Sequence, residues 1–66
     1  MKMINRCKEL RGELSQATVA KFLGISQQAY CRIENSKNLP SMQNCIKISK
    51  LFGKPIESIF REEKNN

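Results

Sequence analysis

The sequence contains no histidine, and its three cysteines include no Cys-x-x-Cys pair. Structural zinc sites draw on closely spaced cysteines and histidines, whereas Cys7, Cys31 and Cys45 are widely separated. We therefore expect no metal site and no cofactor. Histidine is also the commonest general acid or base, and the chain offers no paired carboxylates or nucleophile–base arrangement in its place. The chain is not expected to be an enzyme.

Long apolar runs are missing as well. No stretch is long enough to span a membrane, and residues 1–6 become polar before the apolar core of a signal peptide could form. The few aromatic residues include no nucleic-acid stacking motif. The cysteines are best explained as reduced thiols, with Cys7 and Cys45 acting as small apolar residues, and this favours a cytoplasmic location.

Acidic residues are scarce relative to basic ones. Twelve Lys and Arg against six Asp and Glu give the 66 residues a formal net charge of +6. A basic surface attracts polyanions, and DNA, RNA and anionic membranes would all fit this charge. No sustained basic amphipathic helix is present, which makes a membrane surface the poorer choice. With 39% hydrophobic residues, we expect one small globular domain over residues 1–66.

Residues 15–34 predict two short helices separated by a tight turn. Ser15 and Ser26 each precede a helical pattern and are suited to cap its first turn. Gly24 stands where a left-handed residue commonly ends a helix. The apolar positions of the two helices are Val19, Ala20, Leu23, Tyr30 and Ile33. This is the helix-turn-helix arrangement, whose second helix enters the major groove of DNA.

The second of these helices carries a polar outer face. Helical spacing places Gln27, Gln28, Cys31 and Arg32 on one side of it. Gln pairs with adenine edges and Arg with guanine edges, so Gln27, Gln28 and Arg32 are predicted to contact bases. Ala29 and Cys31 are also predicted base contacts, Ala29 through a thymine methyl group unless it packs near the backbone instead. The alternative is a polar face that is merely hydrated, and the preceding cap and turn favour DNA contact over it.

The remaining residues predict the supporting helices of an all-α fold, a compact bundle of about five short helices. Ser41 and Pro55 are placed to begin the fourth and fifth helices. The first helix is predicted from Met3, Ile4, Cys7 and Leu10. The apolar positions of the fourth helix are Met42, Cys45, Ile46, Ile48, Ser49 and Phe52. Residues 61–66 are predicted to form a frayed tail.

From about Cys7 to Phe60 the sequence resembles the lambdoid repressor and Cro-type proteins of the XRE family. The matches include Leu-Ser-Gln at 14–16, Leu-Gly-Ile-Ser at 23–26 and Ile-Glu-Asn at 33–35. The resemblance implies a lambda repressor-like domain with double-stranded DNA as its partner. Helix amino ends and nearby polar side chains are then expected to contact the DNA backbone. These residues are Ser15, Gln16, Ser26, Lys37, Asn38 and Gln43.

The resemblance also implies an ion pair between Arg11 and Glu34, because the family commonly pairs the corresponding residues. Two positions depart from the family pattern. Ser36 replaces the usual glycine after Asn35, so the turn there must accommodate a side chain. The spacing before Ser15 is about two residues short, which predicts a shortened or reshaped first helix with Gly12 at its end.

The predicted function is a sequence-specific transcriptional regulator, a repressor that binds a pseudo-palindromic operator as a homodimer. Ile56, Ile59 and Phe60, with part of the fourth helix, are the predicted dimer surface; alternatively, these residues close the core of a single chain. A second hypothesis is an antitoxin-like module that binds a protein partner and also regulates its own promoter.

Overall fold

The computed structural model of the chain describes residues 2–63. Five helices and two short strands follow one another in this part of the chain. In chain order they are β1 (Lys2–Asn5), α1 (Cys7–Arg11), α2 (Gln16–Leu23), α3 (Gln27–Glu34), α4 (Met42–Phe52), α5 (Ile56–Ile59) and β2 (Phe60–Glu63). The predicted helical fold class is therefore confirmed, with a small sheet added to it.

Local capping explains where the three longer helices begin. The hydroxyl groups of Ser15, Ser26 and Ser41 accept hydrogen bonds from the amides of Thr18, Ala29 and Asn44, at 3.0, 3.0 and 3.2 Å. Each bond satisfies an amide that has no partner within its own helix. Gly24 ends α2 in the left-handed conformation, as its position predicts, and Gly53 ends α4 in the same way.

The core lies where α2 and α3 cross and where α4, α5 and the sheet cover them. Seven buried side chains form its centre: Cys7, Val19, Ala20, Leu23, Tyr30, Ile48 and Ile59. Ala20 is almost completely buried, and the nearby amide of Ile25 bonds the Ala20 carbonyl at 3.0 Å. The apolar stripe predicted for α2 is confirmed, and Ile25 packs against the core from the turn.

The amino-terminal residues form a strand, and the prediction of a first helix starting near Met3 is wrong. β1 pairs antiparallel with β2, with Lys2 opposite Glu63 and Asn5 opposite Phe60. The spacing of Met3, Ile4 and Cys7 fits a helix, but the partner of this segment lies at the far end of the chain, where local spacing cannot show it.

α1 begins only at Cys7 and ends at Arg11, and Gly12 follows with φ +57°. The position of Gly12 at the end of the first helix is thus confirmed, while a helix that is shortened or reshaped relative to the family stays a prediction.

Two further expectations need correction. Residues 61–63 lie in β2 and are not a frayed tail, because their backbone pairs with β1; residues 64–66 lie outside the described part. In α4, Met42 and Ile46 are 81% and 52% exposed and do not belong to the core. The apolar residues of α4 therefore cover a wider part of the helix surface than the face that packs against the core. A single domain over residues 1–66 stays a prediction.

Candidate nucleic-acid interface

The turn between α2 and α3 fixes the direction of the second helix. Gly24 has φ +73°, and its amide bonds to the Lys21 carbonyl at 3.1 Å. Ser26 then caps α3 at once, so that only Gly24, Ile25 and Ser26 separate the two helices. This short connection holds α3 across α2 with its amino end accessible to solvent.

The outward face of α3 is polar and accessible. Gln27, Gln28 and Arg32 are exposed, while Ala29 and Cys31 are half-buried beside them. Within residues 2–63, the side chains of Gln27, Gln28 and Arg32 make no hydrogen bond or ion pair. The residues predicted to contact bases therefore share one open face, with their donors and acceptors free for a partner.

The opposite side of α3 is tied to the scaffold through Glu34. Arg11 donates from Nε to Glu34 Oε2 at 2.9 Å and from Nη2 to Oε1 at 3.1 Å, a bidentate pair. Gln16 Nε2 donates to the same carboxylate at 3.0 Å. The Glu34 side chain is only 4% exposed, so α1, α2 and α3 meet at a buried and fully bonded charge.

The electrostatics of this network match its geometry. Burial by itself raises the pKa of the Glu34 carboxyl, but hydrogen bonds from Arg11 and Gln16 outweigh burial and bring the pKa below its usual value. The hydrogen bond to Glu34 raises the pKa of the Arg11 guanidinium in turn. Both groups are therefore charged at neutral pH, and Glu34 presents no free negative charge to DNA.

Glu34 is also the only acidic residue between Leu14 and Lys50. Five basic residues lie in the same stretch, at Lys21, Arg32, Lys37, Lys47 and Lys50, and all five are exposed. Since Arg11 neutralises Glu34, the segment that carries the helix-turn-helix has no unpaired carboxylate. The excess of positive charge is thus concentrated on the part of the chain predicted to face DNA.

Two polar groups lie buried beneath α3, the hydroxyl of Tyr30 and the thiol of Cys7, at positions that the sequence predicts only as apolar. Tyr30 is completely buried, and its hydroxyl has no hydrogen-bond partner of ordinary geometry within residues 2–63. Burial raises the pKa of Tyr30, and the neighbouring Glu34 raises it further. Burial and then the charge of Glu34 likewise raise the pKa of the Cys7 thiol to about 12. Both groups stay protonated at neutral pH.

The residues predicted to contact the DNA backbone surround the exposed face of α3. Lys37 and Asn38 lie in the loop after α3, and their amides bond the Arg32 carbonyl at 2.8 and 3.3 Å. Gln43 is exposed in the first turn of α4. Ser15 and Ser26 are exposed at helix amino ends, where amides and the helix dipole favour anions. Gln16 differs from these because it is half-buried and its amide is bonded to Glu34.

Asn5 is a second polar residue that sequence analysis missed. Its side-chain amide donates to the Ile33 carbonyl at 2.7 Å, so it contacts the end of α3 directly. The sequence gives one signal for Asn5: Asn is a common capping residue, and Asn5 stands two residues before the start of α1. Nothing local to Asn5 indicates the contact with α3, because 28 residues separate the two partners.

The predicted dimer surface requires correction at Ile59. This side chain has 0% exposure and belongs to the core, so no second chain can contact it directly. Ile56 and Phe60 are half-buried and also pack against the core. Two accessible apolar side chains, Met42 and Ile46, lie instead along an open groove between α4 and α5, whereas Leu14, Phe22 and Leu39 are exposed outside it. Its lining residues are Pro40, Met42, Cys45, Ile46, Ser49, Lys50, Pro55, Ile56 and Glu57.

The cysteines are three free thiols, with Cys7 buried and Cys31 and Cys45 half-buried. In the described part of the chain, no three His, Cys, Asp or Glu side chains lie together as a metal site would require. None of the helices there has the length and apolar character needed to cross a membrane.

Comparison with known proteins agrees with this geometry. A family model described as helix-turn-helix matches residues 8–59. An uncharacterized HTH-type transcriptional regulator of Methanocaldococcus jannaschii, MJ0272, is 43% identical over 60 residues, which cover 88% of this chain and 91% of that protein. A second uncharacterized HTH-type transcriptional regulator, YgzD of Bacillus subtilis, is 33% identical over 66 residues, covering 97% of this chain and all of that protein. The chain therefore belongs to the XRE-type helix-turn-helix family of DNA-binding proteins.

Proposed function

We propose that this DNA-binding regulator is a repressor that inserts α3 into the major groove of a pseudo-palindromic operator, as one half of a homodimer. Its family is not enzymatic, which confirms the expectation that the chain is not an enzyme. One observation carries the proposal. Helix α3 is capped by Ser26 and held to α1 through Glu34, and it presents Gln27, Gln28 and Arg32 to solvent on one face.

The chemistry of the side chains separates residues suited to contact bases from residues suited to contact phosphates. Gln27 and Gln28 are suited to bidentate pairing with adenine, and Arg32 to guanine. Ala29 and Cys31 supply short side chains that allow the helix to approach the bases. Lys37, Asn38 and Gln43, with the amino ends at Ser15, Gln16 and Ser26, are suited to phosphates. Phosphate contacts then position the protein, and base contacts select the operator.

The first experiment separates base recognition from backbone binding. Duplexes bound by the wild-type protein are selected from random sequences, and affinities for a selected and a scrambled duplex are compared. Gln28→Ala should reduce the ratio of the two affinities by roughly 5- to 150-fold, the equivalent of about 1–3 kcal/mol. Lys37→Ala should weaken both duplexes alike and reduce the slope of log affinity against log salt concentration by about 0.9.

Lys54→Ala is the matched control for Lys37→Ala. It removes the same charge from the turn between α4 and α5, away from the helix-turn-helix, and should change the salt slope much less. If Gln28→Ala changes neither the affinity nor the sequence preference, the proposed insertion of α3 is wrong.

We assign the second copy of the dimer to the α4–α5 groove. The groove is mainly apolar, and Met42 and Ile46 in it are 81% and 52% exposed. Neighbouring exposed apolar side chains of this kind favour contact with another protein surface. Lys50 and Glu57 line the same groove, and two-fold symmetry allows Lys50 of one copy to meet Glu57 of the other. A dimer would present two recognition helices to half-sites one turn of DNA apart.

A further inference from the structure

The end of β1 is bonded to the end of the recognition helix through one side chain. Asn5 Nδ2 donates to the Ile33 carbonyl at 2.7 Å and lies 3.4 Å from Ser36 Oγ. Asn5 Oδ1 accepts from the Cys7 amide at 2.9 Å. One amide side chain therefore serves the amino end of α1 and the carboxyl end of α3 at the same time.

The backbone of Asn5 is fixed independently of these bonds. Asn5 is opposite Phe60 in the sheet, and the next amide, that of Arg6, bonds the Ile59 carbonyl at 2.9 Å. Ile59 is completely buried in the core. The side chain of Asn5 thus extends from a fixed strand toward α3. Its hydrogen bond to the Ile33 carbonyl fixes the end of the helix relative to the sheet.

The contact lies at the point where α3 passes into the loop predicted to bind phosphate. The Ile33 carbonyl also accepts from the Ser36 amide at 3.1 Å, and Lys37 and Asn38 follow directly. Ser36 has φ +61°, a conformation that favours glycine. The loop therefore starts at the carbonyl that Asn5 bonds, and this makes the course of the loop depend on the strand.

We infer that Asn5 is a positioning residue for DNA binding, which sets the end of the recognition helix and the course of residues 36–38 from the terminal sheet. The inference rests on the proposed function. The Arg11–Glu34 pair holds the same helix end from the side of α1 and α2. Asn5 holds this helix end from the side of β1. The strand is therefore part of the DNA-binding unit, although Asn5 itself contacts no DNA.

Two substitutions of Asn5 separate its contact with the carboxyl end of α3 from its contact with the amino end of α1. Asn5→Asp is isosteric and retains an oxygen for the Cys7 amide but loses the donor to Ile33. Asn5→Ser is uncharged, and its hydroxyl can also accept from a nearby amide but is too short to reach α3. Agreement between the two variants excludes the added charge as the cause.

The expected result is local in the protein and specific in binding. Hydrogen exchange at the Ser36, Lys37 and Asn38 amides should quicken by about tenfold in both variants, beyond any change at the core amides. Affinity for the selected operator should fall by about tenfold in both variants. Ile48→Val is the control: Ile48 is completely buried on α4, outside the helix-turn-helix, so the smaller side chain lowers global stability and should leave operator affinity nearly unchanged while the protein is folded.

The outcomes distinguish a failure of the role of Asn5 from a failure of the proposed function. If the wild-type protein binds its operator and both Asn5 variants bind equally well, Asn5 is not a positioning residue and the proposed function stands. Faster exchange throughout the molecule, as expected in Ile48→Val, would also overturn the inference, since Asn5 would then act only on stability. A wild-type protein that selects no duplex would overturn the proposed function, and the inference with it.

Discussion

Ser36 illustrates how much is decided at the scale of one residue. Among the described residues it is the one non-glycine with positive φ, and it stands where the sequence departs from the glycine of the family pattern that it resembles. The sequence alone identified this position as a turn that must accept a side chain. It could not show that the side chain of Asn5 lies beside Ser36, because the two residues are 31 positions apart along the chain. Single positions are therefore predictable where the constraint is the backbone itself.

Ser36→Gly should raise the free energy of unfolding by about 1 kcal/mol, because glycine adopts this conformation without strain. The hydrogen bond that is lost is long and exposed, at 3.4 Å, and contributes little. Thermal unfolding of the variant checks this. Gly24→Ala is the reverse control: nothing lies within 4 Å of the added methyl group, so its destabilisation measures the cost of φ +73° alone. A less stable Ser36→Gly would show that the Asn5 contact outweighs the strain.

At the scale of elements, the sequence predicted what local chemistry determines. The boundaries of α2 and α3 follow from serine caps and from Gly24, all within a few residues of the helices they limit. The strands were missed because their partners are distant: Lys2 pairs with Glu63. The exposed face of Met42 and Ile46 was missed because helical spacing identifies apolar positions but not which of them a neighbouring element covers.

The attachment of α3 to α1 and α2 should depend on pH through Glu34. The pKa of Glu34 is lower in the folded protein than its usual value. Its contribution to stability is therefore complete above the unfolded pKa of about 4.3 and is lost as the pH falls through the folded value. Glu34→Gln should lower the melting temperature at pH 7 and flatten its decline below about pH 5.

Glu9→Gln is the control for this pH dependence. Glu9 pairs with Arg6 at 2.8 Å, but the pair is exposed and is screened by salt. Its pH dependence should be small and should vanish in high salt, whereas that of Glu34 should persist. Equal acid sensitivity of the wild type and Glu34→Gln would mean that the buried pair adds no stability.

The whole molecule leaves an apolar groove uncovered, and the proposed dimer covers it. Ile46→Asp should abolish the dimer without unfolding the chain, since Ile46 is 52% exposed. Analytical ultracentrifugation over a range of concentrations measures the change. Phe22→Asp is the matched control, because Phe22 is 49% exposed on α2, outside the groove, and should leave the dimer intact. A dimer that survives Ile46→Asp would exclude this surface.

The pairing of Lys2 with Glu63 brings both ends of the described chain to one edge of the molecule. A peptide linker of a few residues would span them, so the backbone could be closed into a ring without disturbing the recognition helix. Cyclisation would act on the unfolded chain by removing conformations that only free ends allow, a gain on the order of 4 kcal/mol for a loop of this size. New ends could then be opened in the turn at Gly53 and Lys54.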